Sequence, residues 1–424
     1  MAVKHGMYTL DDLNVTGKAI LCRVDINSPI DPETGKLRDI TRLERCVPTI
    51  AELSEKGARV VLLAHQGGDL EYKNFSTTEP HAEALADLLD RPVLFVDDVC
   101  GPAARERIRQ LRDGEILLLD NVRFMAEEMT LFETRLKLSP EEQAKTIVVR
   151  KLAPLADLYV CDAFAAVHRS QPSLVGFQEV LPSVMGRLFE EEVTALSRVK
   201  ESPEKPCVFV LGGAKVQDAF LIMSSVLQNR VCDTVLTCGL VANIMLLAKG
   251  VDIGEASRNL IIERGLGEYI EMAKGILHEF PDYLALPLDV AYVNESRREV
   301  AVKDLPVEGL ITDIGHKTVN AYCDLLREAN TIFVNGPAGV FERQESEYGT
   351  KSLLEAIAAS SAFSVIGGGD SIAALNKYGL EKQFSYVSTA GGGLVRFLSG
   401  EELPVIKALK DAANRMSQRD VVKS

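Results

Sequence analysis

Residues 207–216 read CVFVLGGAKV, a short apolar run that ends in two glycines and a lysine. A run of this length bounded by glycine predicts a buried strand that ends in a tight turn. Comparable runs recur along the chain and alternate with amphipathic stretches, which predicts parallel sheets covered on both faces by helices. The predicted fold class is therefore α/β, and ligands are expected at the carboxyl ends of the strands.

Eight such runs predict strands, and three of the stretches between them have clear helical periodicity. The predicted strands are 19–24, 60–64, 116–119, 158–161, 208–211, 234–237, 332–334 and 363–366. The predicted helices are 42–55, 80–89 and 371–377.

A chain of 424 residues is too long for one ordinary core, and two α/β domains fit its length. Residues 181–205 combine a helical pattern, with Leu188, Val193 and Leu196 on one side, with the polar segment ESPEKP. This predicts two parallel-sheet domains joined by an interdomain helix and linker, with a cleft between the domains. The predicted parts are a first domain at 1–180, the helix and linker at 181–205, a second domain at 206–405 and a C-terminal tail at 406–424 with an exposed end.

The net charge of −14 argues against nucleic acid or an anionic membrane as a partner, but it permits a small anionic substrate where cations gather locally. The sequence has no long apolar run and no signal-like N-terminus, so the cytoplasm is the expected location. The eight cysteines include no C-x-x-C pair, which predicts reduced thiols packed as small apolar side chains.

In the first half of the chain, polar and cationic side chains follow the predicted strands. Taken singly, each is typical of a surface or capping residue. Three arginines and two histidines at the ligand end of one sheet favour a site for a small, multiply charged anion, because arginine binds carboxylate and phosphate with two parallel hydrogen bonds. The residues concerned are Asp25, Asn27, Arg42, His65, Asn121, Arg123, Asp162, His168 and Arg169.

In the second half, glycine-rich segments follow the predicted strands. The segments are GGAKV at 212–216, NGPAGVFE at 335–342, GGGDS at 367–371 and STAGGG at 388–393. One such segment alone predicts only a tight turn, but four in one domain favour a nucleotide phosphate site, because glycine lets backbone N–H groups approach phosphate oxygens. Lys215 could neutralise phosphate charge, and Asp370 could hold a divalent cation.

Three common nucleotide-binding patterns are missing from the sequence. It contains no GxxxxGK[ST], no GxGxxG after the first strand, and neither the HRD nor the DFG segment of protein kinases. A basic anion site in one domain and a phosphate site in the other suit transfer of a phosphoryl group between two ligands. Closure of the domains would join the ligands and exclude water.

The sequence resembles the phosphoglycerate kinase family over roughly residues 10–410. The segments that carry the resemblance, in the family's order, are RVDINSP, DNVRF, DAFAAVHRSQPSLVGF, LGGAKV, NGPAGVFE, IGGGDS and STAGGG with LSGEELPV. AHQG, HRSQPSLVGF and LTCGLVANIMLLAKG are most similar to the family's archaeal branch. The resemblance implies two Rossmann-like domains, with 3-phosphoglycerate on the first and MgATP or MgADP on the second. It also implies reversible phosphoryl transfer between 1,3-bisphosphoglycerate with ADP and 3-phosphoglycerate with ATP, and Mg²⁺ bound with the nucleotide.

The resemblance also implies roles for individual residues. The phosphoglycerate would be held by Asp25, Asn27, Arg42, His65, Arg123, His168 and Arg169. The catalytic set would be Arg42, Lys215, Gly368 and Gly391, with the neighbouring amides of 367–371 and 390–392. The nucleotide would be surrounded by Gly213, Ala214, Lys215, Gly239, Gly315, Asn335, Pro337, Glu342, Gly367, Gly368, Gly369, Asp370 and Ser371, with Glu342 on the ribose and Asp370 on the metal.

Three positions depart from the family's pattern. Gly68 and Asp69 stand in HQGGD, where the family usually has a cation for the substrate, and Lys73 could compensate. A lost charge-assisted hydrogen bond there would cost about 1.5–3 kcal/mol. Ala219 replaces a second lysine of many members, and Ala390 replaces the first glycine of STGGG, where a positive φ would be strained.

Two alternatives to an active phosphoglycerate kinase remain open at this point. The first is a related ATP-dependent phosphotransferase that acts on another small phosphorylated acid, which Gly68 and Asp69 suggest. The second is a non-catalytic nucleotide-binding scaffold, which fits poorly with the retained Arg42, Lys215 and Asp370. The expected ligands are small molecules in either case, and a monomer is expected.

Overall fold

The chain folds into two compact units, each built on a six-stranded parallel sheet. The computed structural model describes residues 3–68, 76–129 and 134–423. One unit comprises Met1–Thr194 with Glu402–Ser424, and the other comprises Ala195–Glu401. All strand pairs of both large sheets are parallel, which confirms the predicted α/β fold class.

The sheet of the first unit has the strand order β3-β4-β2-β1-β5-β6. Its strands are β1 (Ala19–Arg23), β2 (Arg59–Leu63), β3 (Val93–Val96), β4 (Ile116–Leu119), β5 (Leu158–Cys161) and β6 (Ser183–Met185). Four of the six were predicted from their continuous apolar runs, since β1, β4 and β5 are wholly buried. The two edge strands β3 and β6 were not predicted: β3 is only half-buried, and β6 has three residues and begins with a serine.

Helices cover this sheet, and their apolar faces form its core. They are α1 (Thr41–Glu55), α2 (Glu79–Leu89), α3 (Pro102–Gln110), α4 (Pro140–Gln143) and α5 (Ile147–Leu152). Leu43 and Ile50 of α1 belong to the same buried cluster as Ile20 and Val60 of the central strands. The next helix, α6 (Arg187–Glu201), crosses the division between the units, so the boundary lies inside a helix, within the segment predicted to join the domains.

The sheet of the second unit has the strand order β15-β14-β13-β7-β8-β9, and a separate antiparallel sheet has the order β11-β10-β12. The strands are β7 (Cys207–Leu211), β8 (Thr234–Thr237), β9 (Leu284–Ala285), β10 (Asp289–Asn294), β11 (Ser296–Ala301), β12 (Ile311–Ile314), β13 (Thr331–Asn335), β14 (Phe363–Gly367) and β15 (Tyr386–Ser388). The antiparallel sheet was not predicted, because most of β10 and β11 is exposed or half-buried and lacks the apolar runs on which the prediction relied.

The helices of the second unit follow its parallel strands. They are α7 (Val216–Gln228), α8 (Gly239–Ala248), α9 (Glu255–Glu263), α10 (Glu268–Glu279), α11 (His316–Glu328), α12 (Tyr348–Ala358), α13 (Gly369–Tyr378) and α14 (Gly392–Leu398). Four of them, α7, α8, α13 and α14, begin within five residues of the end of a strand of the parallel sheet, at the carboxyl edge where ligands are expected.

The last helix, α15 (Pro404–Lys423), belongs to the first unit although it follows the second in sequence. Its Ala413 is buried in the core of the first unit, and Arg415 donates a hydrogen bond of 3.0 Å to the backbone oxygen of Gln178. The segment predicted as a C-terminal tail therefore belongs to a packed helix. Its small apolar residues form only a weak helical pattern in the sequence, so this helix was not predicted.

All eight cysteines are buried and form no disulfide, as the sequence predicts. Among the described residues, no helix is long and apolar enough to cross a membrane.

Candidate active site

Four adjacent strands of the first unit deliver the predicted anion-binding side chains to one edge of the sheet. The strands β4, β2, β1 and β5 are neighbours and run in the same direction, so their carboxyl ends lie side by side. Arg123, His65, Asp25 and Arg169 follow these four strands in that order. The topology thus brings these four residues to neighbouring strand ends.

The backbone of Gly67 joins three of these loops. Its N–H donates to Asn27 Oδ1 at 2.9 Å, and its carbonyl accepts a short hydrogen bond from Arg123 Nη1. Arg42, in the first turn of α1, donates through Nη1 to Asp25 Oδ2. These contacts hold two arginines and one amide in fixed positions at the strand ends, although Arg42 remains half-buried and keeps part of its guanidinium accessible.

The electrostatic environment of His65 shows how strongly positive this edge is. Burial is the largest cause that holds the pKa of His65 well below its ordinary value. The charges of four arginines add to the effect, and these are Arg23, Arg123, Arg169 and Arg42. The imidazole is therefore neutral at pH 7, and the site combines a neutral ring with several guanidinium groups. Such a site attracts a multiply charged anion in a chain whose net charge is negative.

Asp162 has a structural role rather than a place in the anion site. Its Oδ1 accepts a hydrogen bond of 3.1 Å from the backbone N–H of Phe189, in the first turn of α6. Burial raises the pKa of Asp162 to about 7, against hydrogen bonds from Thr49 and from the first-turn amides. The carboxyl group thus caps α6 from strand β5, a pairing of distant residues that the local sequence could not reveal.

Arg23 is a functional candidate that the sequence reasoning missed. It is the last residue of β1, fully buried, and its Nη2 lies 3.0 Å from His65 Nδ1. The signal was available, because an arginine inside an otherwise apolar strand is rarely buried without partners. The prediction assigned the polar residues of RVDINSP that follow this strand and left out Arg23, which lies inside it.

In the second unit, the glycines of three loops pack backbone against backbone. A methyl group on Gly336 would lie 2.1 Å from the carbonyl oxygen of Gly212, and one on Gly239 would lie 2.6 Å from the nitrogen of Gly213. The N–H of Gly213 donates to the carbonyl of Pro337 at 2.8 Å. Only glycine permits this approach, so the glycine-rich segments after β7, β8 and β13 form one structure.

These loops border a cavity of about 270 Å³. Of the predicted nucleotide residues, the cavity is lined by Gly213, Ala214, Gly239, Pro337, Glu342 and Asp370. It is also lined by apolar residues that the sequence reasoning did not name, among them Leu240, Leu260, Leu310, Ile311 and Phe341. An apolar slot with carboxylates at its border has room for a flat heteroaromatic base and a ribose.

The remaining predicted nucleotide residues lie beside this cavity rather than on its lining. Gly336 donates its N–H to Ser371 Oγ at 2.7 Å, and a methyl group on Gly368 would lie 2.9 Å from Asn335 Oδ1. Gly315 packs against Asp289, whose carboxylate caps the first turn of α11. The residues not on the lining are Lys215, Gly315, Asn335, Gly367, Gly368, Gly369 and Ser371.

The predicted catalytic groups of the second unit lie at the N-termini of helices. Lys215 is exposed and immediately precedes α7, while Gly368 and Gly391 immediately precede α13 and α14. Gly368 has φ 89° and Gly391 has φ 52°, so the positive φ falls on glycines and not on Ala390. The concern that Ala390 strains the loop is therefore removed, since the alanine occupies an ordinary backbone conformation.

Asp370 has the chemistry expected of a magnesium ligand in such a site. It is exposed in the first turn of α13 and lines the cavity. Among the described residues, no cluster of three or more His, Cys, Asp or Glu could hold a metal by itself. One carboxylate fits Mg²⁺ that is bound mainly by nucleotide phosphates and water, which is the usual arrangement for this ion.

An ion pair between Asp313 and Arg297 lies at the cavity, because Asp313 is one of the lining residues. Asp313 is buried, accepts a hydrogen bond of 2.9 Å from Arg297 Nη1 and another of 2.8 Å from the N–H of Gly349. Burial raises its pKa to about 6, and Arg297 acts in the opposite direction. A methyl group on Gly339, which also lines the cavity, would lie 2.5 Å from Asp313 Oδ1. The pair thus supports the loop that forms one wall.

The position at which the family usually has a cation is open in this chain. Gly68 is exposed, and among the described residues no atom would lie within 4 Å of a methyl group built on it. Asp69 and Lys73 lie outside the described residues. The third departure, Ala219, is buried in α7, so a lysine at this position would start from the packed face of the helix.

Comparison with known proteins gives one consistent result. The family model described as Phosphoglycerate kinase matches residues 10–401. The phosphoglycerate kinase of Methanothermobacter thermautotrophicus is 49% identical over 405 residues, which cover 95% of this chain and 97% of the relative. That of Pyrococcus horikoshii is 43% identical over 423 residues, which cover 98% of this chain and 100% of the relative. The resemblance to archaeal members is thereby confirmed.

Solved structures show the same likeness. The crystal structure of phosphoglycerate kinase from Pyrococcus horikoshii OT3 aligns with a TM-score of 0.87 at 42% identity, covering 96% of this chain and all of that one. The structure of phosphoglycerate kinase from Coxiella burnetii aligns with a TM-score of 0.80 at 33% identity, with the same coverage.

Proposed function

The chain belongs to the phosphoglycerate kinase family, and from this premise we propose how its residues divide the work of an ATP-dependent phosphotransferase. The observation that carries the proposal is the cavity on which the glycine loops after β7, β8 and β13 converge. We assign the nucleotide to this cavity, with Glu342 on the ribose and the phosphates directed towards Lys215 and the first turn of α13. Lys215 and the N-terminus of α13 suit a polyphosphate, because lysine and helix N-termini both favour negative charge.

The phosphoglycerate is assigned to the cationic edge of the first unit. Arg123 and Arg169 contribute charge, Asn27 and His65 contribute directional hydrogen bonds, and Asp25 orients Arg42. His168, half-buried beside Arg169, completes the set. A bisphosphorylated acid carries several negative charges, so binding by guanidinium groups in a partly buried site is favourable.

Transfer itself asks little covalent chemistry of the protein. The acceptor carboxylate is ionised at pH 7, so no general base is needed. Arg42, Lys215 and the amides that begin α13 and α14 would stabilise the charge on the phosphoryl oxygens. Mg²⁺ held by Asp370 would neutralise charge on the nucleotide phosphates when bound. Closure of the two units around both ligands, in-line geometry, a monomeric state and a cytoplasmic location are parts of the same proposal.

Turnover with MgATP and 3-phosphoglycerate tests the proposal directly. The measurement couples formation of 1,3-bisphosphoglycerate to its reductive consumption, with a panel of other small phosphorylated acids beside it. We expect 3-phosphoglycerate to exceed every other acid in kcat/KM by at least about tenfold. Preference for another acid would contradict the assignment of the acceptor and favour the related phosphotransferase that Gly68 suggests.

Substitution of Lys215 distinguishes an enzyme from a non-catalytic nucleotide-binding scaffold. We expect Lys215→Ala to lower kcat by about 100-fold or more, because one preorganised cationic donor to the transferred group is lost. Lys249→Ala is the matched control, since Lys249 is also exposed in the second unit but does not line the nucleotide cavity. Near-normal turnover of Lys215→Ala would contradict the proposed mechanism.

A further inference from the structure

The guanidinium of Arg23 is held by three partners in the core of the first unit. Its Nε donates to Ser173 Oγ at 3.0 Å, its Nη1 donates to the carbonyl of Val24 at 2.5 Å, and its Nη2 lies 3.0 Å from His65 Nδ1. The side chain is fully buried. A guanidinium has only donors and does not lose its proton, so in the contact with His65 the imidazole nitrogen must accept.

This single contact determines where His65 carries its proton. A neutral imidazole has one N–H, and a ring whose Nδ1 accepts must carry that N–H on Nε2. The burial of His65 and the surrounding arginines keep the ring neutral. Nε2 is therefore the only ring nitrogen left for a ligand, and it can act only as a hydrogen-bond donor.

We propose that Arg23 is a positioning residue that fixes the Nε2–H tautomer of His65, so that His65 donates one directional hydrogen bond to an oxygen of the phosphorylated acid. The inference rests on the proposed function for the identity of the acid, but not for the tautomer. The neighbouring arginines supply charge from several directions. A neutral donor in a fixed orientation adds selectivity for an oxygen at one place, which charge alone gives poorly.

Glu128 keeps Arg23 in this orientation. Glu128 is fully buried and accepts hydrogen bonds from the backbone N–H of Ser173 at 2.5 Å and from Ser173 Oγ at 2.9 Å. The Ser173 hydroxyl therefore donates to Glu128 and accepts from Arg23, so its direction is set from both sides. A buried guanidinium without a nearby carboxyl group would be costly, and Glu128 is that group. Burial raises the pKa of Glu128 to about 7 and the charge of Arg23 acts in the opposite direction, so each group favours the charged form of the other.

Long-range ¹H–¹⁵N correlation of the histidine side chains tests the tautomer without any substrate. The chain has six histidines, and loss of one signal set in His65→Gln assigns the ring of interest. We expect a protonated Nε2 and an unprotonated Nδ1 in the native protein. A protonated Nδ1, or an imidazolium at pH 7, would overturn the proposal. Because this result needs no turnover, failure of the proposed function would leave it readable.

The second arm removes the donor. In the double variant Arg23→Met with Glu128→Gln, no uncompensated charge is left in the core, so folding is retained. We expect the Nε2–H tautomer to become a mixture, KM for 3-phosphoglycerate to rise about tenfold, and KM for the nucleotide to stay within about twofold. Glu128→Gln alone keeps Arg23 and should keep the tautomer, and urea denaturation of this variant measures separately the cost of leaving the guanidinium unpaired. An unchanged tautomer in the double variant would overturn the proposal.

Two substitutions of His65 give the last arm. The amide nitrogen of glutamine can take the place of Nε2, whereas that of asparagine matches Nδ1. His65→Gln should therefore retain more affinity for 3-phosphoglycerate than His65→Asn, by about fivefold in KM. Equal affinity in the two variants would contradict a donor at Nε2. If another acid is the true substrate, the same comparison applies to that acid, while the tautomer result is unaffected.

Discussion

Arg187 and Glu52 form a two-point ion pair, with Arg187 Nε 2.7 Å from Glu52 Oε2 and Nη2 2.8 Å from Oε1. The same guanidinium reaches Asp11 at 2.6 Å and Glu190 at 2.9 Å. One arginine at the start of α6 thus ties together the N-terminal segment, α1 and α6. Parallel hydrogen bonds of this kind are stronger and more specific than single surface ion pairs.

This cluster predicts a loss of stability in acid. The hydrogen bond from Arg187 is the largest cause that lowers the pKa of Glu52. A carboxylate with a depressed pKa stabilises the folded state above its unfolded pKa of about 4.3, and that stability is lost as pH falls through the folded pKa. We expect Arg187→Met to lower the free energy of unfolding at pH 7 by about 1–3 kcal/mol, measured by urea denaturation. The difference from the native protein should shrink below pH 4.

Arg327→Met is the matched control for this prediction. Arg327 lies on α11 and contacts one carboxylate, Asp324, at 2.5 Å, and both side chains are largely exposed. Its loss should cost less than about 0.5–1 kcal/mol, as exposed pairs usually do. Equal losses in the free energy of unfolding would show that the Arg187 cluster stabilises the fold no more than a single exposed ion pair does.

The capping of α6 by Asp162 leads to a second prediction. Asp162→Ala removes an acceptor from the first turn and should destabilise the protein by about 1–2 kcal/mol. Asp162→Asn keeps an oxygen for the Phe189 N–H and should cost less. Because the folded pKa is raised to about 7, the folded state binds more protons between pH 4 and 7, so this carboxyl makes stability fall as pH rises.

Thermal or urea unfolding across that pH range checks the sign. The Asp162→Asn variant should lack this contribution, so its stability relative to the native protein should rise between pH 4 and pH 7. A constant difference would show that Asp162 titrates normally in the fold.

The fold was largely predictable because its central strands are buried on both faces. Runs such as Ile116–Leu119 and Cys207–Leu211 are apolar at every position, and glycine or polar residues mark their ends. The antiparallel sheet that contains β11 (Ser296–Ala301) was missed because an exposed hairpin has no apolar run. Its contribution to the cavity, through Ile311 and Asp313, was therefore missed as well.

The site was predictable only where the sequence itself marks the chemistry. Glycines and cations after the predicted strands located the ligand-binding loops, because the carboxyl ends of neighbouring parallel strands lie at the same edge of the sheet. The contact between Arg23 and His65 joins residues 42 positions apart, and that between Asp162 and Phe189 joins residues 27 apart. Both depend on strand order and side-chain direction, which no local pattern specifies. Arg23 was therefore hidden inside a strand that was itself predicted correctly.

The packed glycine loops give a third prediction. In Gly336→Ala the new methyl group would lie 2.1 Å from the Gly212 oxygen, at a residue with φ 93°. We expect a loss of more than about 2 kcal/mol or a failure to fold, together with loss of nucleotide binding in calorimetry. Gly250→Ala is the control, because Gly250 has φ 87° but no atom within 4 Å of its new methyl. It isolates backbone strain, which should cost only about 1 kcal/mol.

The open position at Gly68 gives the last prediction. Its backbone does not require positive φ, and in the part of the chain that the structure describes no atom lies within 4 Å of a methyl group built there, so a side chain can leave the backbone without a clash. Gly68→Arg should restore a cation beside the anion site and lower KM for 3-phosphoglycerate by about tenfold, the equivalent of about 1.4 kcal/mol, with KM for the nucleotide unchanged. Gly275→Arg adds the same charge at another open glycine, in α10 of the second unit, and should leave KM unaltered. If both variants lower KM equally, the effect comes from net charge; if neither does, the cation is dispensable in this chain and its arginine cluster already saturates the phosphate.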